Sequence, residues 1–160
     1  MNTELLSLLV KNARYTNEEL AVMCGISKEE VESEISAMEK EGIIGGYKTV
    51  VDWSKVNPSS LSALIELNVT PVSDTGFEET AKKIMKFPEV ESVYLMSGGY
   101  DLCVIVKGRT FQEVAMFVGK VLAPMKNVNS TSTHFVLRRY KELDVMFSDN
   151  NGDDRGSISL

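Results

Sequence analysis

The chain has 160 residues, a formal net charge of −6 at pH 7 and 43% hydrophobic residues. Its length allows one substantial core or two small domains, and no apolar run approaches the roughly 20 residues that a membrane span needs. Residues 1–4 lack the basic start of a signal peptide, and the two cysteines, Cys24 and Cys103, lie far apart in apolar stretches. We therefore expect a cytoplasmic protein with two reduced thiols and no membrane partner.

Three helices are predicted in the first 46 residues. Leucines recur at helical spacing over residues 5–9. Thr16 and Ser27 each begin a capping box, because a glutamate follows each of them three positions later. Gly25 and Gly42 are placed to end the second and third helices. Two helices joined by a short turn are typical of a helix-turn-helix, although an unrelated helical bundle would show similar periodicity.

The remaining sequence predicts a wing, a linker and a second domain. Residues 47–53 have the composition of a strand, and residues 54–60 contain the Ser, Asn and Pro of a linker. Beyond them the periodicity predicts the order β-α-β-β-α-β, with a last strand over about residues 128–140. This order indicates a ferredoxin-like domain. The fold class is thus α+β, an N-terminal winged helix-turn-helix followed by a C-terminal ferredoxin-like βαββαβ domain.

A glycine pair, Gly98-Gly99, separates two of the predicted strands. Because glycine reaches positive φ at no steric cost, the pair predicts a tight β-hairpin. The pair also leaves backbone N–H groups open beside the carboxylate of Asp101. Such an arrangement is a candidate receptor for a small zwitterion, and the simpler interpretation is that the aspartate only accepts from amides of its own turn. On the first interpretation, Asp101→Ala should lose the ligand and keep the fold.

The second face of the predicted sheet is apolar where a free face should be polar. Val93 and Leu95 are expected to face the helices, which places their neighbours on the other side. An apolar face of this extent indicates a partner, and a two-fold homodimer is the simplest one. The residues expected in this interface are Leu64, Tyr94, Met96, Cys103 and Ile105.

Acidic residues are concentrated near the N-terminus. Residues 1–46 contain four basic and nine acidic residues, a net charge of −5, which counts against a simple nucleic-acid surface. The predicted third helix carries Glu29, Glu30, Glu32 and Glu34, and these like charges should repel phosphates.

Four motifs together give the chain a resemblance to the Lrp/AsnC, or feast/famine, family of bacterial and archaeal transcription regulators. They are NEELA at 17–21, EKEGIIGGY at 39–47, GGYDL at 98–102 and TST at 131–133. The resemblance covers about residues 3–142. It implies an N-terminal DNA-binding domain, a C-terminal effector domain, dimers that assemble further, commonly into octamers, and amino acids or related metabolites as effectors. The glutamate-rich third helix departs from the basic recognition helix usual in the family.

The resemblance also implies where ligands bind. Effectors of such proteins bind at contacts between dimers, near the loop matched here by residues 97–101, and a neighbouring subunit contributes its last strand. The expected effector-binding residues are Met96, Ser97, Gly98, Gly99, Tyr100, Asp101, Thr131, Thr133 and His134. The residues expected to contact double-stranded DNA are Arg14, Thr16, Lys28, Ser33, Ser36, Lys40 and Lys48.

These expectations divide the chain into four parts. Residues 1–46 form the helix-turn-helix domain, and residues 47–60 form the wing strand and linker. Residues 61–142 form the ferredoxin-like effector-binding and oligomerisation domain. Residues 143–160 form a tail that is expected to be largely disordered, because its end is polar and glycine-rich.

Two other functions remain open at this point. An amino-acid sensor that has lost direct DNA binding would act through a partner protein. The same two-domain plan also occurs in Lrp-like sirohaem decarboxylases. However, His134 is the only histidine, and the sequence offers no acid–base pair, metal site or nucleophile with a base partner. We therefore expect an effector-responsive regulator that is not an enzyme and has no cofactor.

Overall fold

The structure, a computed structural model, describes residues 1–57 and 60–147. The chain divides into two compact units, Met1–Thr49 and the part from Val50 onward. Each unit has its own hydrophobic core. Within the described residues, no helix is both long enough and apolar enough to cross a membrane.

The N-terminal unit contains three helices, α1 (Thr3–Lys11), α2 (Asn17–Cys24) and α3 (Lys28–Lys40). Both predicted capping boxes form, at the first turns of α2 and α3. Gly25 follows α2 with φ of 65°, a conformation that favours glycine. The helices enclose a small core whose buried side chains are Leu5, Leu9, Leu20, Val31 and Met38. This arrangement confirms the helix-turn-helix.

The predicted wing strand at residues 47–53 is wrong. The backbone from Gly45 to Asp52 has no regular secondary structure, and a short helix, α4 (Trp53–Val56), spans the end of the predicted strand and the start of the predicted linker. A strand needs a neighbour to satisfy its ladder of backbone groups. No strand of the described part of the N-terminal unit is available to pair with residues 47–53. The Asp52 carboxylate instead accepts from the Ser54 N–H at the start of α4.

The C-terminal unit has the predicted β-α-β-β-α-β order. Its sheet is antiparallel, with strands in the order β2-β3-β1-β4. The elements are β1 (Leu61–Val69), α5 (Glu78–Ile84), β2 (Val90–Leu95), β3 (Leu102–Gly108), α6 (Phe111–Phe117) and β4 (Val128–Phe135). A π-helical turn, Val118–Leu122, continues α6. The order and pairing confirm the ferredoxin-like fold.

The helices cover one face of this sheet. Alternate residues of β1 and β3 point into the core, where they meet the apolar sides of α5 and α6. The fully buried strand residues are Ala63, Ile65, Leu67, Leu102, Val104 and Val106. The expectation that Leu95 also packs under the helices is wrong, because its side chain is 64% exposed. Leu95 is the last residue of an edge strand and lacks a covering element on that side.

The predicted tail begins inside a second, two-stranded sheet. Strands β5 (Lys141–Glu142) and β6 (Val145–Met146) pair around a two-residue turn in which Leu143 and Asp144 both have positive φ. An ion pair between Lys141 and Asp144 supports this turn. Strand β4 accordingly ends at Phe135, earlier than predicted. Residues 148–160, which were predicted to be disordered, lie outside the described residues.

Candidate functional site

Helix α3 presents one stripe of side chains away from the core of the N-terminal unit. Successive helical residues are rotated by about 100°, so a residue lies opposite Val31 and Met38 if it is about half a turn from both. Both of those side chains are buried. The residues of the opposite stripe are Glu29, Ser33, Ser36 and Lys40. Three of the seven predicted DNA-contacting residues therefore share this stripe.

Two of the five α3 glutamates have their carboxylates bonded at helix starts. Glu30 accepts from the N–H of Ser27 at 2.8 Å and from its hydroxyl at 2.9 Å. These hydrogen bonds hold the pKa of Glu30 below its usual value of 4.5. Glu34 accepts from the backbone N–H of Asn2, the residue that caps α1, at 2.9 Å. The carboxylates of Glu30 and Glu34 therefore have hydrogen-bond partners within the N-terminal unit.

The third glutamate belongs to a polar cluster between α2 and α3. Glu32 accepts from the side-chain amide of Asn17 at 3.2 Å and lies 3.9 Å from the ammonium of Lys28. Lys28 makes a closer ion pair, 2.6 Å, with Glu18 of α2. The hydrogen bond between them raises the pKa of Lys28 and lowers that of Glu18. Glu39 accepts from the Tyr47 hydroxyl at 3.0 Å, so Glu29 alone of the five makes no ion pair or side-chain hydrogen bond with the described residues.

Lys28 is thus drawn toward Glu18 and away from the outward stripe. The other predicted DNA-contacting cations, Arg14, Lys40 and Lys48, are exposed, and their side chains form no ion pair with the described residues. The Thr16 hydroxyl caps α2 by accepting from the Glu19 N–H. The cations available to phosphate in this unit are therefore fewer than the predicted set.

The loop between β2 and β3 spans Met96 to Asp101 and is closed by the Met96 N–H donating to the Asp101 carbonyl at 2.8 Å. The β-hairpin is confirmed, but the predicted left-handed glycines are not. Neither Gly98 nor Gly99 has a positive φ, and a Cβ on either would meet no atom within 4 Å. The longer loop reverses the chain without left-handed residues. Its two glycines consequently present uncovered backbone to solvent.

Asp101 connects this loop to the central strand. Its N–H donates to the Leu67 carbonyl at 3.0 Å, and its carboxylate Oδ2 accepts from the Val69 N–H at 2.7 Å. The pairing of β1 with β4 shifts register between Asn68 and Val69, so the Val69 amide takes a side-chain acceptor here. The carboxylate thus accepts from an amide of the central strand and not, as the more modest interpretation expected, from amides of its own turn. The other carboxylate oxygen, Oδ1, has no hydrogen-bond partner among the described residues.

The predicted effector residues of β4 lie on two different faces of the sheet. Thr131 and Thr133 pair with Leu67 and Ile65, and they share the helix-covered face with those residues. His134 pairs with Leu64 and lies on the opposite, open face. A single chain therefore does not bring all three side chains together.

The open face is more polar than the sequence analysis expected. His134 Nε2 lies 3.3 Å from the Glu66 carboxylate and 3.3 Å from the Ser132 hydroxyl. Glu66 was missed as a component of this face, although the two-residue alternation along β1 places it between Leu64 and Asn68.

The five predicted interface residues differ widely in exposure. Tyr94 and Met96 are 54% and 40% exposed, Leu64 and Ile105 are half-buried, and Cys103 is only 5% exposed. Burial raises the pKa of the Cys103 thiol, and burial together with the nearby Cys103 and Glu66 raises that of Tyr100. The accessible apolar part of the face is therefore smaller than predicted.

A cavity of about 740 Å³ opens at the other end of the sheet, where Lys107 and Gly108 end β3. None of the predicted effector residues lines it. Two of its cations already have partners. Arg139 bonds to Glu142 and Ser62, and Lys107 lies 3.9 Å from Glu91.

Comparison with known domain families gives two matches. The Lrp/AsnC ligand binding domain matches residues 62–146, and a winged helix-turn-helix DNA-binding domain matches residues 3–44. The chain is 42% identical over 158 residues to the uncharacterized HTH-type transcriptional regulator YugG of Bacillus subtilis, covering 98% of this chain and 95% of that protein. It is 24% identical over 150 residues to the leucine-responsive regulatory protein of Haemophilus influenzae, covering 91% and 87%.

One solved structure with the same fold is a complex with an amino acid. It is the complex of the transcriptional regulator NMB0573 from Neisseria meningitidis with L-Met. That protein is 26% identical to this chain, superimposes with a TM-score of 0.69, and is matched over 86% of this chain and 88% of its own length.

Proposed function

The chain belongs to the Lrp/AsnC family of transcriptional regulators, and on that premise we propose that an amino acid bound to its C-terminal unit controls DNA binding by its N-terminal unit. The helix-turn-helix and the Lrp/AsnC ligand-binding domain are both present in the chain. What the proposal adds is the effector class, the residues that bind it and the assembly in which it binds.

The amino-acid effector is supported by the chemistry of the β2–β3 loop. A zwitterion needs an acceptor for its ammonium and donors for its carboxylate, since burying either charge without a partner is costly. Asp101 supplies an anchored carboxylate with Oδ1 still unbonded, and this is the observation that carries the proposal. The open backbone at Gly98 and Gly99 allows close approach to main-chain N–H groups. Met96 and Tyr100 would contact the apolar part of the ligand.

The relatives support the same class of ligand. One structural relative is described in complex with L-Met, and one sequence relative is named as leucine-responsive. Neither name identifies the effector of this chain, so the class is proposed and not the compound.

The strand β4 would complete the site from neighbouring subunits. Thr131 and Thr133 face the helix-covered side of the sheet and His134 faces the open side, so one ligand cannot contact all three in a single chain. We assign them to contacts between subunits in a dimer that assembles further, commonly an octamer in this family. In this assembly the open face, with Leu64 and Ile105 near its centre, forms the dimer contact.

DNA binding is proposed to require several N-terminal units acting together. The outward stripe of α3 offers Ser33, Ser36 and Lys40, while Arg14 and Lys48 add exposed cations. So few cations per unit give a weak phosphate contribution, and linking several units on one DNA raises the effective concentration of each. A fragment of residues 1–58 should therefore bind an operator much more weakly than the full chain does.

The alternatives have less support. An amino-acid sensor without DNA binding has less support, because a winged helix-turn-helix DNA-binding domain matches residues 3–44. An enzyme of the sirohaem decarboxylase type has less support, because relatives of the chain are named as transcriptional regulators. A cytoplasmic location is proposed, because a DNA-binding regulator must reach the chromosome.

The test uses the full chain and a duplex selected by it from a random library. Fluorescence anisotropy of this duplex is measured with each common amino acid added in turn, over a range of salt concentrations. At least one amino acid should change the apparent Kd, and the change should be lost in Asp101→Asn. If no amino acid alters either the Kd or the melting temperature, the effector proposal fails. If no duplex is selected at all, the sensor without DNA binding is favoured.

A further inference from the structure

Glu29 is the α3 glutamate whose carboxylate has no direct hydrogen-bond or ion-pair partner among the described residues, since Glu39 is bonded to the Tyr47 hydroxyl. Glu30 and Glu34 are bonded at helix starts, and Glu32 is bonded to Asn17 and Lys28. Glu29 is exposed and makes no ion pair or side-chain hydrogen bond with the described residues. It lies one turn before Ser33 on the outward stripe, at the second residue of α3. Within the unit its charge acts only through space, on Lys28 and on the positive end of α3, and its carboxylate oxygens remain open to a partner outside the chain.

We propose that Glu29 reads a cytosine of the operator in the major groove and so determines sequence specificity. This inference rests on the DNA-binding function of α3. In a helix-turn-helix the second helix of the motif enters the major groove, and residues of its N-terminal part contact the base edges. Glu29 occupies that part of α3 on the side turned away from the core.

The base follows from the chemistry of a carboxylate, which only accepts hydrogen bonds. Guanine presents two acceptors in the major groove, and thymine presents an acceptor and a methyl group, so both are unfavourable neighbours. Adenine presents the N6 amino donor beside the N7 acceptor, and N7 would repel the second carboxylate oxygen. Cytosine presents the N4 amino donor without an adjacent acceptor on the same base. Glu29 should therefore select cytosine.

The neighbouring residues favour a contact with a base over a contact with a phosphate. Lys28, the adjacent cation, is held at 2.6 Å by Glu18 and does not neutralise Glu29 by a direct ion pair. An unneutralised carboxylate would be repelled by phosphates, whereas a base amino group is a donor that it can satisfy. Ser33, one turn along, can donate or accept beside it.

The experiment compares the DNA sequences selected by three full-length proteins from a random duplex library. The parent should select sites with cytosine at one position of each half-site, preferred roughly tenfold over other bases. Glu29→Gln should move that preference toward adenine, because a glutamine amide can pair with both N6 and N7 of adenine. Glu32→Gln removes the same charge from the same helix at the flank facing α2, and it should leave the preference unchanged.

The outcomes separate this inference from the function on which it rests. If Glu29→Gln selects the same sites as the parent, Glu29 reads no base. If Glu29→Gln and Glu32→Gln both tighten binding equally without changing the selected bases, Glu29 contributes only general repulsion, and the inference is again overturned. If the parent selects no duplex, DNA binding itself fails. Circular dichroism melting of each variant establishes that the fold is intact, which the exposure of Glu29 leads us to expect.

Discussion

Replacing Asp101 tests whether its carboxylate binds a ligand, stabilises the fold by bonding to β1, or does both. The sequence analysis expected Asp101→Ala to lose the ligand and keep the fold. The structure gives the same carboxylate a second task, because Oδ2 accepts from the Val69 N–H at 2.7 Å. Val69 is 3% exposed, so water cannot readily replace the lost acceptor.

The size of the effect follows from this contact. A hydrogen bond to a charged group contributes about 1.5–3 kcal/mol, and leaving a buried donor unpaired costs a similar amount. For a domain of this size, 1 kcal/mol corresponds to a shift in Tm of about 4–8 °C. Asp101→Ala should therefore lower the Tm of the C-terminal unit by roughly 10–20 °C. Asp101→Asn should recover most of this loss, because its amide oxygen can still accept from Val69.

Differential scanning calorimetry and amide hydrogen exchange measure the two parts of this prediction. The Val69 amide should exchange faster in Asp101→Ala than in the parent. Asp74→Asn is the control, because Asp74 is an exposed carboxylate of the same unit, and its replacement removes the same charge. With a ligand identified, calorimetric titration should show that Asp101→Asn binds it about tenfold more weakly, the loss expected from one charge-assisted bond.

Two results would refute this reasoning. If Asp101→Ala melts within a degree or two of the parent, the bond to Val69 does not stabilise the fold as calculated. If Asp101→Asn binds an identified effector as tightly as the parent, the carboxylate has only its structural task.

Three further predictions concern other parts of the molecule. Gly99→Ala should change the free energy of unfolding by less than about 0.5 kcal/mol, because the φ of Gly99 is not left-handed and a Cβ there meets no other atom. The same substitution should weaken ligand binding if the ligand closely approaches the Gly99 backbone. Ile105→Asp should shift the full chain from dimer toward monomer in sedimentation velocity, whereas Cys103→Asp, at a site that is only 5% exposed, should unfold the C-terminal unit itself. Lowering the pH through the depressed pKa of Glu30 should destabilise the N-terminal unit. A carboxylate whose pKa is lowered by folding stabilises the fold fully at pH values above its unfolded pKa of 4.5, and this stabilisation is lost as the pH falls through the folded pKa. Glu30→Gln should flatten this pH dependence in thermal melts.

The sequence predicted the helices and the sheet well because the signals were local. A capping box involves residues three positions apart, so Thr16 and Ser27 marked the starts of α2 and α3 directly. Two-residue alternation in β1 likewise separated buried from open positions. The wing failed for the opposite reason, since strand composition in residues 47–53 does not supply a second strand to pair with.

The candidate sites were less predictable because their chemistry depends on contacts between distant residues. The bond from Val69 to Asp101 joins positions 32 residues apart, and it exists because the β1–β4 ladder is irregular at Val69. The pairing of Lys28 with Glu18 depends on how α2 and α3 pack. Gly98-Gly99 was misjudged because composition suggested a two-residue turn, whereas the loop that forms runs from Met96 to Asp101.

The net charge of the N-terminal segment is a poor guide to its affinity for DNA, because many of its charged side chains have partners within the unit. Its nine acidic and four basic residues suggested a surface that DNA would avoid. Glutamates that cap helices offset the positive ends of those helices, and the glutamates bonded to Asn2 and Lys28 have partners within the unit. Screening limits the remaining repulsion to about 8–10 Å at moderate salt, so the charge that matters is the charge on the stripe itself. There the charges of Lys40 and Glu29 cancel, so under the proposed function we expect specificity to come from base contacts and affinity from the number of units engaged.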